Sequence, residues 1–187
     1  MRLVSAFLLA FACSAQSHWV VTWGASPAPP LADPAQMRAA NLEFDNHTLR
    51  EIVHTSIGGN TMRVRLSNAY GKEAVHIGGT HVALRANGSA IVAGSDRVVT
   101  FSGRTAVTIP PDALVLSDPV KLDFPASSDL AISIFLPKPA KPAGIHFSAL
   151  QTSYIGKGDL TAAASMSEAA TMTSWAFLSG VDVLASR

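Results

Sequence analysis

Alternation of apolar and polar side chains dominates this sequence. In Met62-Arg63-Val64-Arg65-Leu66 the apolar residues fall on one side and both arginines on the other, the period of a half-buried strand. Val120-Lys121-Leu122-Asp123-Phe124 repeats the pattern with two charges outward. Ile132, Ile134 and Leu136 share one face of 130–136, with Ser133 opposite. The same reading predicts strands over 18–23, 48–57, 75–84, 97–101, 106–109, 145–155 and 174–184. Turn clusters separate them: Gly58-Gly59-Asn60, Asn68-Ala69-Tyr70-Gly71, Asn87-Gly88-Ser89, Gly94-Ser95-Asp96 and Pro110-Pro111-Asp112. About ten short strands at this spacing predict an all-β fold, a jelly-roll-like β-sandwich occupying one domain over 18–187. Helical signal is confined to 33–40, with Asp33 as N-cap before Pro34, and to the Ala-rich 161–170, a short helix or a loop.

The first 17 residues break the pattern. Met1-Arg2 is a short positive start, Leu3 to Ala12 carry no charge, and small residues follow in Cys13-Ser14-Ala15-Gln16-Ser17. That layout is a secretory signal peptide, which implies a secreted or periplasmic protein. Ten apolar residues as a helix reach only about 15 Å, half a bilayer core, so no transmembrane anchor is expected. Ala10-Phe11-Ala12-Cys13 loosely resembles a bacterial lipobox, with Ala10 in place of the usual Leu, so ordinary cleavage is preferred to lipid attachment at Cys13. Cys13 is the one cysteine of the sequence; its removal leaves no thiol and no disulfide.

Composition narrows the function classes. The 187 residues are 48% hydrophobic and only 14% charged, too apolar for a disordered chain. With 14 Lys+Arg against 13 Asp+Glu there is no basic field to gather phosphates, which argues against nucleic acid as a partner.

Catalytic motifs are scarce. A serine hydrolase sets its nucleophile on a tight turn beside a base and oxyanion donors, but the sequence holds no Gly-x-Ser-x-Gly elbow. Gly158-Asp159-Leu160 and Gly94-Ser95-Asp96 are only echoes of a Gly-Asp-Ser-Leu block and read as turns. The six histidines form no His-Glu-x-x-His. His76 and His81, five apart, and His47 and His54, seven apart, point to opposite faces of a regular strand, so no metal site and no cofactor are expected. Glycine spacing matches no phosphate loop. What remains is a set of polar strand faces. Arg50, Ile52, His54 and Ser56 share one, and Arg63 and Arg65 share another that ends near Asn68. These are either solvated sheet faces or a ligand- or partner-binding surface whose arginine forks and amides hold carboxylates or sugar hydroxyls, with Arg50, His54, Arg63, Arg65 and Asn68 as the candidates. Trp19 and Trp23, four apart, are either a sugar-stacking platform or one buried stripe.

Several segments resemble, in order, the N-terminal region of secreted bacterial SGNH (GDSL-type) hydrolases. They are Trp19-Val20-Val21-Thr22-Trp23-Gly24-Ala25-Ser26-Pro27, Thr48-Leu49-Arg50-Glu51-Ile52-Val53-His54-Thr55-Ser56-Ile57-Gly58-Gly59 and Arg63-Val64-Arg65-Leu66-Ser67-Asn68-Ala69-Tyr70-Gly71. Gly94-Ser95-Asp96-Arg97, Phe101-Ser102-Gly103, Ser117-Asp118-Pro119-Val120, Gln151-Thr152-Ser153-Tyr154 and Trp175 to Val183 continue the series. Tyr70 stands where the family more often has Phe. The resemblance implies a β-sandwich that precedes an α/β esterase domain, in which a Ser-His-Asp triad cleaves esters of acylated carbohydrates or lipids. The nucleophile block of such an enzyme is expected shortly beyond Val183, and the sequence ends at Arg187, so no catalytic residue carries over. The expectation is a non-catalytic accessory domain whose partner is the SGNH catalytic domain; a stand-alone carbohydrate-binding module is the competing expectation.

Overall fold

A computed structural model describes residues 18–29 and 43–185. The signal segment with Cys13 and the 33–40 helix expectation lie outside them. Sixteen strands follow one another among the described residues: β1 (His18–Gly24), β2 (His47–His54), β3 (Gly59–Ser67), β4 (Val75–Ile77), β5 (Gly79–Asn87), β6 (Ala90–Ile91), β7 (Arg97–Val99) and β8 (Val107–Ile109) in the first half, then β9 (Leu114–Leu116), β10 (Val120–Phe124), β11 (Asp129–Leu136), β12 (Ile145–His146), β13 (Ser153–Lys157), β14 (Ala170–Met172), β15 (Trp175–Ala176) and β16 (Leu178–Ala185). No helix forms among the described residues, and 161–169 is a looped segment of turns.

Two antiparallel sheets enclose the core. The five-stranded sheet runs β1-β16-β3-β10, with β9 beside β10 along the same edge of β3. The seven-stranded sheet runs β14-β13-β2-β11-β5-β6, with β7 also on β5. Met62, Val64, Leu66, Val181 and Val183 from the first sheet meet Leu49, Val53, Val82, Leu130, Ile132 and Ile134 from the second in one buried cluster. The chain is therefore an all-β sandwich, as the alternation predicts.

The structure cuts several predicted strands where the backbone leaves the extended region. The 75–84 run splits at Gly78, whose amide donates to the Phe135 carbonyl; before it β4 pairs with β8, and after it β5 pairs with β11. Ser148 and Leu150 adopt positive φ between β12 and β13, and Phe177 does so between β15 and β16. Bulky L-residues rarely take that conformation, so apolar pattern alone cannot reveal these breaks.

A register shift between Val21 and Trp23 decides where the tryptophans go. Thr22 is the extra residue, its carbonyl accepting from Ser56 N and its hydroxyl exchanging hydrogen bonds with Ile57. One inserted residue flips the faces on either side. Trp23 thus packs inward, edge-on to Trp175 at 5.0 Å, whereas Trp19 lies on the outer face against Arg63. The two share neither a stacking platform nor a buried stripe.

Candidate functional site

Arg50 stands on the outer side of β2, yet it is fully buried. Its Nε donates to Ser133 Oγ, Nη1 to the carbonyl of Ser89, and Nη2 to the carbonyls of Leu160, Thr161 and Ala163. The looped segment and the β5–β6 turn thus close over it, with Ile91 N to Ala164 O and a Ser89–Met166 pair joining the two. Burial lowers its pKa, with the charge of Asp96 opposing. Arg50 is thereby a clamp inside the fold.

Asn68 is also interior. Its Nδ2 donates to the carbonyls of Glu73, Ile109 and Pro110, tying the turn after β3 to the end of β8. Gly71 closes that turn so tightly that a Cβ there would overlap Asn68 Oδ1. Asn68 is pinned and cannot yield, so Gly71→Ala is expected to cost about 1–3 kcal/mol in equilibrium denaturation.

His54 does reach solvent, but not in company with Arg50. Register sets Arg85, Asp129 and His54 in one row across β5, β11 and β2. Asp129 accepts from His54 Nδ1 and Arg85 Nη1, each at 2.8 Å. Partial burial pushes the Asp129 carboxyl up, but the hydrogen bonds and charges of His54 and Arg85 outweigh that and hold it below its usual range. Because a carboxylate only accepts, the neutral imidazole must carry its proton on Nδ1. His81 makes a parallel pair with Asp96. Among the described residues no group of three His, Cys, Asp or Glu side chains is placed to hold a metal ion.

Arg63 and Arg65 form the remaining constellation. Met62, Val64 and Leu66 turn into the core, which leaves the two arginines on the outer face of β3. Opposite them on β16, Asp182 sits between two core valines, Val181 and Val183. Asp182 Oδ2 accepts from Arg63 Nε and Oδ1 from Arg65 Nη2, each at 2.8 Å. The carboxylate side chain is only 5% exposed, while 25% of Arg63 and 29% of Arg65 stay accessible. The ring of Trp19 lies 4.5 Å from the Arg63 guanidinium carbon. Cross-strand pairing puts Leu184 beside Trp19, Val21 beside Asp182, Leu116 beside Arg65 and Leu114 beside Ser67. Val21, Leu116 and Leu114 are 54%, 42% and 58% exposed. An ionic centre with apolar borders thus covers the outer face of the five-stranded sheet.

The structure therefore divides the five sequence candidates. Arg63 and Arg65 meet on one face, His54 lies on the other sheet, and Arg50 and Asn68 are inside. Asp182 and the exposed leucines were missed by sequence reasoning. A lone charge between core valines was the available signal for Asp182, while nothing in the local pattern marks Leu114 and Leu116 as exposed. A scan against known protein-family models and a search of curated proteins both find no match to this chain.

Proposed function

We propose that this chain is the non-catalytic β-sandwich accessory domain of a secreted SGNH-type esterase, and that the outer face of its five-stranded sheet docks on the catalytic domain. The observation that carries this reading is the exposure of Val21, Leu114 and Leu116 around the Arg63–Asp182–Arg65 bridge. Apolar side chains gathered on one face gain by being covered. The segments that resemble the SGNH family supply scaffold here: Arg50 clamps a loop, Asn68 ties a turn, and Arg63 and Arg65 build the face. A stand-alone carbohydrate-binding role draws less support, because Trp23 and Trp175 pack on each other and Arg63 lies over Trp19. The purified chain is expected to hydrolyse p-nitrophenyl esters no faster than buffer. Turnover that a serine-directed inhibitor abolishes would contradict a non-catalytic role.

A further inference from the structure

We infer that the paired guanidinium groups of Arg63 and Arg65 receive a carboxylate from the docking partner, an acidic side chain on an apolar surface, an inference that rests on the docking role proposed above. Three contacts fix the pair in place. Asp182 uses one oxygen for each arginine. Trp19 backs Arg63. Gly180 leaves the room in which Arg65 crosses β16, since a Cβ there would lie 3.0 Å from Arg65 Cζ. Each guanidinium gives one donor to Asp182, and its other N–H groups have no protein acceptor among the described residues. Two cations on one anion leave an excess positive charge at the centre of the face. Lys121 and Asp123, exposed on β10 at its border, offset each other. A planar fork matches a carboxylate in two-point fashion, and the apolar borders would exclude water from the bond. A second copy of this chain would bring the same positive centre against itself, which disfavours self-pairing here.

The test titrates the purified chain with benzoate, a carboxylate on an apolar body, and with neutral benzamide as control. The readout is the NMR signals of the Arg63 and Arg65 Nε–H groups and the Trp19 indole. Benzoate is expected to shift all three saturably and benzamide to leave them in place. The double variant Arg63→Lys/Arg65→Lys keeps both charges beside Asp182 but loses the forks, and should weaken benzoate roughly tenfold, read at Trp19. Absence of a saturable shift, an equal response to benzamide, or unchanged affinity in the double variant would overturn the receptor. Binding of an oligogalacturonate much more tightly than benzoate would also overturn it, by assigning the face to an acidic polysaccharide. These results are separable from the function proposed above: a failed titration removes the receptor and leaves the accessory role, whereas inhibitor-sensitive ester turnover removes the non-catalytic role and leaves the receptor.

Discussion

Replacing Arg50 by Met should lower the stability of the domain by about 4 kcal/mol, the scale of removing one member of a buried charged network, because Met restores only apolar contact. Ser133, Ser89, Leu160, Thr161 and Ala163 all lose their donor together. For a chain of this length the loss corresponds to a fall of about 8–16 °C in Tm. Arg50→Lys should recover little, since one ammonium cannot span acceptors on three segments. Thermal denaturation gives the magnitude, and amide hydrogen exchange should show 158–166 and 88–92 opening first. A loss below about 1 kcal/mol would mean that the looped segment holds itself in place.

Glu51 should make stability fall as pH rises. Its side chain is fully buried, and Oε1 accepts from Ala176 N while Oε2 has no partner among the described residues. Burial raises its pKa well above the ordinary 4.5, against the smaller lowering effect of the Ala176 hydrogen bond. The neighbouring Arg50 cannot neutralise it, because successive strand residues point to opposite faces. Below the unfolded-state value both states hold the proton, and Glu51 adds no pH dependence. Above it the unfolded chain loses the proton while the folded chain keeps it, so stability drops by about 1.4 kcal/mol per pH unit until the folded value is reached. Glu51→Gln retains the acceptor for Ala176 and does not titrate. Its Tm should run parallel to that of the parent below the unfolded-state value and rise relative to it as pH increases above that value. Tm profiles that stay parallel above it would contradict a neutral buried Glu51. Asp129 has the opposite sign: its lowered pKa contributes stability above the unfolded value that is lost as pH falls, and it cancels in the comparison between the two proteins.

The strands that alternate cleanly were legible in the sequence. Val120 to Phe124 is a strand with Lys121 and Asp123 outward, and Ile132 and Ile134 face the core. Local pattern could not show which faces become covered. Arg50 looked like a surface residue because alternation places it opposite Leu49 and Glu51. It is buried only because 160–163, more than a hundred residues later, folds over it. Asn68 was hidden in the same way by carbonyls at 109 and 110. The Thr22 bulge reversed the Trp19–Trp23 relation through bonds to Ser56 and Ile57, again a distant segment. Arg63 and Arg65 were legible as one face because both belong to a single regular strand, whereas their partner Asp182 comes from β16.

The accessory role is tested most directly by reading the coding DNA that follows the Arg187 codon. An SGNH nucleophile block with Gly-Asp-Ser is expected in the same frame or one shift away, followed by an Asp-x-x-His block. A stop codon with no such block nearby would contradict that role and leave a sandwich that works without an esterase partner.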